Sequence, residues 1–315
     1  MVYAGIDIGG MSIKAGIVSE DGKILIKKAF VPLKTADESV VKMAETVKEL
    51  LKALNLEETE LKGIGVGCPG TVNSEKGIVD CLTNLKWFDY PLAYRLKKNF
   101  DHDIKVKLSN DANVAVLAEH RFGEAKGAEI CVMLTLGTGV GGGVIIDGKL
   151  FEGGESKGTE LGHVSLVAGG VKCGCGRRGC IEAYVSTTAL IRQTKYAMRK
   201  NKDSMLWKKC GHDLAGVNGK DIFECAREGD ETALIVLQKY RIYLAESIMN
   251  MCNIFRPEVF IIGGGISAQG DFLLDGVRTY CEKFDYGFKD APHPRLVTAS
   301  LGNDAGIIGS ACLVI

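Results

Sequence analysis

One arrangement occurs twice in this chain. Residues 2–7 form an apolar run that ends in Asp7-Ile8-Gly9-Gly10, a second apolar run covers 13–18, and Asp21-Gly22-Lys23 follows. From residue 130 the order recurs: an apolar run to 136, the glycine-rich stretch 137–143, an apolar run over 144–146, then Asp147-Gly148-Lys149. Asp-Gly between short apolar runs signals a hairpin. A weak internal repeat of this kind predicts an α/β chain of two similar domains, related by a pseudo-two-fold axis and enclosing a cleft. Each copy would present a glycine turn, whose successive backbone N–H groups form a concavity suited to anions. A third turn, Gly263-Gly264-Gly265-Ile266-Ser267, follows an apolar strand at 258–262.

At 315 residues the chain is long enough for about two domains with ample core. We expect a small N-terminal domain over 1–115, completed by a final helix over 303–315, and a larger domain over 116–302, with hinges near 110–118 and 300–304. Apolar positions 40, 43, 44, 47, 50, 51 and 54 follow helical spacing, so 36–54 reads as an amphipathic helix laid on a sheet. Further strands are expected over 24–30, 61–67 and 104–108, and helices over 92–98, 114–122, 186–200, 219–228 and 231–255. Between strand 104–108 and helix 114–122 lies Ser109-Asn110-Asp111-Ala112-Asn113. Open α/β sheets hold ligands at the C-terminal ends of their strands. Asn or Asp before a helix is often only an N-cap, but four polar residues in five exceed what one cap needs.

The segment 158–184 packs most chemistry into least length. His163 is followed by Cys173, Cys175 and Cys180, and an imidazole with three thiolates suits tetrahedral Zn²⁺. Four protein ligands leave no open position for water, so such a metal is structural. Free thiols, or a disulfide pair with one thiol left over, are the other readings; the remaining eight of the 11 cysteines are scattered singly, unlike a disulfide scaffold. A metal here would also fasten the flanking acids Glu160 and Glu182.

Lysine plus arginine equals aspartate plus glutamate, 39 each, which argues against nucleic acid or an anionic membrane as partner and favours a small molecule. The absence of a long apolar run and of a leader pattern leads us to expect a cytoplasmic protein with reduced thiols. No GxxxxGK[ST] loop is present, and Asp7-Ile8-Gly9-Gly10 is not a GxGxxG turn opening a helix. An aspartate beside a glycine turn can instead hold Mg²⁺ while backbone amides bind phosphoryl oxygens. That is equipment for phosphoryl transfer.

Taken together, these residues resemble the ROK family of sugar kinases and repressors, within the actin-like (ribonuclease H-like) ATPase superfamily. The resemblance spans essentially the whole chain. Asp7-Ile8-Gly9-Gly10 with Ser12 and Lys14 resembles the first phosphate motif, Gly137-Thr138-Gly139 and the glycines after it the second, and 261–267 with Gly264 and Gly265 the adenosine-side motif. The segment 109–113 resembles the catalytic segment. Glu160-Leu161-Gly162-His163 with Cys173-Gly174-Cys175-Gly176-Arg177-Arg178-Gly179-Cys180-Ile181-Glu182 resembles the family signature.

The resemblance implies two actin-like domains with a zinc loop in the larger one, Mg-ATP as donor, and Asp111 as general base toward a hexose 6-hydroxyl, with glucose the leading acceptor. It further implies that Gly70, Asn84, Asn110, Asp111, Glu160, His163 and Glu182 bind sugar, that His163 serves both metal and sugar, and that the chain forms a homodimer. N-Acetylmannosamine, N-acetylglucosamine, fructose and allose are the alternative acceptors, and polyphosphate an alternative donor. A sugar-sensing repressor is not expected, because the first strand begins at residue 2 with no helix-turn-helix ahead of it. Two positions depart from the pattern: Met11 stands where the family has Thr, and Thr159 where it has Gly. Ser12, next to Met11, is expected to point elsewhere through strand alternation.

Overall fold

The computed structural model describes residues 1–286 and 293–315. The chain is α/β throughout, and it forms two compact units: Met1–Cys131 with Gly143–Thr159 and Ser300–Ile315, and Val132–Gly142 with Glu160–Ala299.

The first unit opens with β1 (Val2–Ile8), β2 (Ile13–Ser19) and β3 (Ile24–Phe30), then α1 (Ala36–Ala53) and β4 (Leu61–Cys68). Next come β5 (Thr71–Asn73), β6 (Ile78–Leu82), β7 (Trp87–Tyr90), α2 (Leu92–Lys97), β8 (Lys105–Asn110) and α3 (Asp111–Phe122). A five-stranded sheet in the order β3-β2-β1-β4-β8 carries the unit. Strands β1, β4 and β8 are parallel, so their C-terminal ends share one edge; the register pairs Asp7 with Gly67, Gly67 with Ser109, and Cys68 with Asn110.

Helix α1 begins with a capping box between Thr35 and Glu38 and buries Val40, Met43, Ala44, Val47, Leu50 and Leu51. That apolar stripe, spaced three and four apart, holds the helix on the sheet. The other face of the sheet is built for close approach. A Cβ on Gly65 of β4 would lie 1.6 Å from Ser310 O, and one on Gly5 of β1 1.9 Å from Ile307 O, so only glycine there lets the final helix lie against the strands. Ser310 Oγ also donates to Ile6 O at 2.9 Å. The entry to that helix is held by the buried carboxylate of Glu119 on α3, which accepts from Leu301 N at 2.8 Å and Ser300 Oγ at 3.0 Å.

The remaining elements are β9 (Cys131–Leu136), β10 (Val140–Ile146), β11 (Lys149–Leu150), α4 (Glu182–Val185), α5 (Thr187–Lys200), α6 (Leu206–Lys209), α7 (Gly219–Arg227) and α8 (Glu231–Phe255). They are followed by β12 (Val259–Gly263), α9 (Asp271–Phe284), β13 (Arg295–Thr298) and α10 (Ala305–Cys312), the final helix. The second five-stranded sheet has the order β11-β10-β9-β12-β13. Helix α8 buries Tyr240 completely, and its hydroxyl donates to Val185 O at 2.6 Å. Among the described residues no helix is long and apolar enough to cross a membrane.

Several elements differ from expectation. Helix α3 starts at Asp111, not at 114, because the Asn110 side chain accepts from Ala112 N and caps the helix earlier. Glycines 141–143 belong to β10, not to the preceding turn. The three-stranded sheet β5-β6-β7 and strand β13 were not expected at all.

Candidate active site

In the first unit the candidate residues gather at the C-terminal edge of the parallel strands. Asp7 is the penultimate residue of β1, and its neighbour in register on β2 is Lys14, whose Nζ lies 3.3 Å from Asp7 Oδ2. A Cβ on Gly306 would come within 2.6 Å of Asp7 Cγ, so the first turn of α10 packs directly on this carboxylate. A helix N-terminus favours a negative charge there. After β1 the chain turns through Gly9 to Ser12, closed by Gly9 N donating to Ser12 O at 2.9 Å. Strand β2 begins only at Ile13, so Ser12 belongs to the turn and strand alternation does not set its direction. Met11 projects outward, 87% exposed.

The turn meets a sugar candidate. A Cβ on Gly10 would stand 3.3 Å from Asn84 Nδ2. Asn84 lies on the loop from β6 to β7, and the unexpected small sheet is what positions it. Trp87 of the same sheet is core, 4% exposed and tilted against Tyr90 at 5.7 Å. Gly70, ahead of β5, adopts φ +85°, and a Cβ would lie 2.3 Å from Cys81 O; only glycine fits. Its carbonyl accepts from Asn110 Nδ2 at 3.0 Å. Asn110 therefore does two structural jobs, since its Oδ1 accepts from Ala112 N at 2.9 Å.

Asp111 is exposed at the first position of α3, and its Oδ1 also receives Ala112 N at 2.8 Å. Cys68, at the end of β4, lies among these acids: burial pushes its thiol pKa up, and the charges of Asp111 and then Asp7 add to the effect. Behind Asp111 runs a polar chain that the sequence did not disclose. Glu152 accepts from Ser109 Oγ at 2.5 Å and from Ser74 Oγ at 2.7 Å. Asn113 Nδ2 reaches Ser109 Oγ at 3.3 Å, and Thr159 Oγ1 reaches Asn113 Oδ1 at 3.3 Å. Thr159 has φ +58°, a region unfavourable for a β-branched residue, which gives the physical reason why glycine would fit this position more easily.

In the second unit the turn Gly137-Thr138-Gly139 joins β9 to β10. It is fastened to the start of α5, with Thr187 N donating to Gly137 O at 2.8 Å and Thr188 Oγ1 to Thr138 O at 2.8 Å. Gly264, φ +79°, lies against the end of β9, where a Cβ would be 2.5 Å from Leu136 O; Gly265 is unobstructed. The second and third glycine turns thus end neighbouring strands of one sheet.

His163, Cys173, Cys175 and Cys180 converge, with all four donor atoms within 4.8 Å of one another. Sulfurs bound at about 2.3 Å to a tetrahedral Zn²⁺ stand about 3.8 Å apart. Cys175 Sγ and Cys180 Sγ are separated by 3.7 Å, as are Cys173 Sγ and His163 Nδ1. The donor set and spacing fit zinc. No disulfide joins Cys173, Cys175 and Cys180. Gly179, φ +85°, has Val167 O where a Cβ would go, and Arg177 ties the loop to His163 O at 3.1 Å and Ser165 Oγ at 3.1 Å. Burial pushes the Cys173 thiol up to about 12, while the Arg177 backbone N–H draws the Cys175 thiol down.

Glu182 adjoins this cluster, with Oε1 3.2 Å from Cys173 Sγ and Oε2 accepting from Val140 N at 3.0 Å. Glu160 is exposed and begins the short 3₁₀ turn Leu161–His163.

The sequence profile of the ROK family matches residues 3–315. The chain belongs to the ROK family. Among its curated relatives, glucokinase of Thermotoga maritima is 39% identical over 314 residues, covering 98% of this chain and 96% of the relative. Glucokinase of Halalkalibacterium halodurans is 34% identical, covering 99% and 94%. Among solved structures, a ROK family glucokinase from Streptomyces griseus in complex with glucose and AMPPNP superposes with a TM-score of 0.84 at 32% identity, covering 100% of this chain and 99% of that one.

Proposed function

We propose that this ROK chain is an ATP-dependent glucokinase that transfers the γ-phosphoryl of ATP to the glucose 6-hydroxyl. The observation that carries the reading is the pair Asp7, near the C-terminal end of β1, and Asp111, directly after β8, on either side of Cys68, in a chain whose relatives at 34–39% identity include full-length glucokinases. Asp111 is the general base. Its carboxylate accepts the 6-hydroxyl proton as the oxygen attacks the γ-phosphorus and the bond from that phosphorus to the β-γ bridging oxygen breaks, releasing ADP. The loose transition state asks mainly for orientation and modest proton acceptance, which a carboxylate provides.

The fixed geometry around Asp111 supports that role. Asn110 is held by Gly70 O and caps α3, so the carboxylate leaves a rigid strand-to-helix junction. In this reading Gly70, Asn84, Asn110, Glu160, His163 and Glu182 hydrogen-bond the sugar hydroxyls. Backbone amides of Gly10, Thr138 and Gly139, with Ser12 and Lys14, receive the phosphates, while Gly9 and Gly137, whose own amides close their turns on Ser12 O and Gly139 O, shape the two turns, and Gly264 and Gly265 flank the adenosine. Asp7 would hold Mg²⁺ through water, and the ion would neutralise charge on the phosphoryl oxygens. His163, Cys173, Cys175 and Cys180 would bind structural zinc, bracing Glu160 and Glu182. Assembly as a homodimer belongs to the same reading and is open to sedimentation analysis.

The test is coupled ADP release with Mg-ATP across glucose, mannose, fructose, N-acetylglucosamine and N-acetylmannosamine. A kcat/KM for glucose at least tenfold above the others is the expected outcome, equivalent to about 1.4 kcal/mol of transition-state discrimination. Preference for an N-acetylated sugar would replace the acceptor, and no turnover of any hexose would end the kinase reading.

A further inference from the structure

Lys76, Lys105, Lys107, Arg121 and Lys149 line one cavity of about 650 Å³ in the first unit. They arrive from separate places: the turn after β5, strand β8, the last turn of α3, and β11. Among the described residues the side chains of these five form no ion pair or hydrogen bond, although Lys76 N donates to Asn73 Oδ1 at 3.0 Å. Glu75 and Glu152 share the lining. Five cations against two carboxylates leave an excess of three positive charges, in a chain whose overall balance is 39 to 39. Glu152 is also committed elsewhere, its two oxygens accepting from Ser109 and Ser74.

Lysines on β8 alone would be unremarkable. It is the edge strand of its sheet, and edge lysines discourage pairing with other chains. That accounts for Lys105 and Lys107, which share one side of the strand, but not for Lys76, Arg121 and Lys149 brought to the same cavity from elsewhere. Like charges crowded into a concavity repel one another, and a bound anion relieves that repulsion. Arginine offers a planar fork that matches phosphate oxygens, and lysines add compact charges around it.

We propose that this cavity is an anion site for a compact ligand carrying two or more phosphates, either an inorganic phosphate chain or a small organic bisphosphate. Nothing in the donor or sugar assignments uses these five residues. The site also has a route to the chemistry: β8 carries Lys105 and Lys107 directly into Ser109, Asn110 and Asp111, and Glu152 links its far end to the β5–β6 turn.

The experiment is calorimetric titration at constant ionic strength with sodium tripolyphosphate and, separately, fructose 1,6-bisphosphate. Saturating Mg-AMPPNP is present to occupy any nucleotide site. The readout is binding, so it stands even if the kinase reading fails. One saturable site is expected for at least one probe, and which probe binds identifies the source. Lys107→Ala with Arg121→Ala should weaken that binding about tenfold or more, since two charge-assisted hydrogen bonds are removed. Lys107→Arg with Arg121→Lys should retain most of it. The control pair Lys34→Ala with Lys62→Ala, outside the cavity, should leave it unchanged. Absence of saturable binding, binding indifferent to the cavity pair, or an equal loss in the control pair overturns the proposal.

Discussion

Val140 donates its backbone N–H to Glu182 Oε2 across 3.0 Å. Through that bond the end of the Gly137–Gly139 turn is tied to the residue that follows the cysteine loop, whose Cys173 Sγ lies 3.2 Å from the other carboxylate oxygen. A Cβ on Gly139 would lie 2.5 Å from the same Oε2, so the turn and the carboxylate are fitted to each other.

Removing the Glu182 carboxylate should therefore disturb two places at once. Glu182→Ala is expected to cost about 1.5–3 kcal/mol, the usual effect of deleting a charged hydrogen-bond partner, and to raise KM for both ATP and glucose. Glu182→Gln keeps an oxygen for Val140 N and should recover most of the stability. Thermal unfolding and steady-state kinetics of both variants check this; equal stability of Ala and wild type would contradict it.

Asp111→Asn should lower kcat by about 10²–10⁴, the usual range for a general base, with glucose affinity largely kept. Stability should change by no more than about 0.5 kcal/mol for such an exposed position, because Asn110 still caps α3. Turnover within a few-fold of wild type would remove Asp111 from its role.

Cys175→Ser takes one sulfur from the four-donor cluster. Zinc per chain, measured by plasma mass spectrometry, should fall, and thermal stability and turnover should fall with it, since a zinc held by this cluster would order the segment between Glu160 and Glu182. Full metal content at full activity would strike Cys175 from the ligand set. Dialysis of wild-type protein against a chelator should reproduce the loss.

Thr159 holds φ +58° while its hydroxyl reaches Asn113. The two effects have opposite signs. Thr159→Gly relieves backbone strain but frees the unfolded chain, and the net change should stay within about 1 kcal/mol. Thr159→Val keeps the strain and discards the hydrogen bond, so it should lose about 0.5–1.5 kcal/mol. Denaturant melts of both rank them against wild type; Thr159→Val as stable as wild type would show that the Asn113 contact contributes nothing.

Much of the fold is legible in the sequence because long elements repeat their pattern. Helix α1 and strands β1 to β4 follow from apolar spacing and from Asp-Gly turns. The β5-β6-β7 sheet escapes because its strands have only three to five residues and no alternation to detect, yet it is what brings Asn84 to Gly10. Helix α9 did leave a signal, buried Leu273, Leu274 and Val277 at helical spacing. The glycine turns and the cysteine cluster were legible because their chemistry depends on residue type at short range. Glu152 was not, because a lone glutamate after a short strand carries no mark of the serine on which it closes, 43 positions away.

Helix α10 also orders events in time. The Ser310–Ile6 hydrogen bond spans 304 positions, and Gly306 is what packs on Asp7. During synthesis the first unit therefore has its sheet long before it has its cover, leaving the glycine faces of β1 and β4 exposed while the whole second unit is made. Contacts so distant in sequence form late and slowly. The nascent chain must wait for α10 before Asp7 acquires its surroundings, so the competence of the site depends on a segment made only after the second unit.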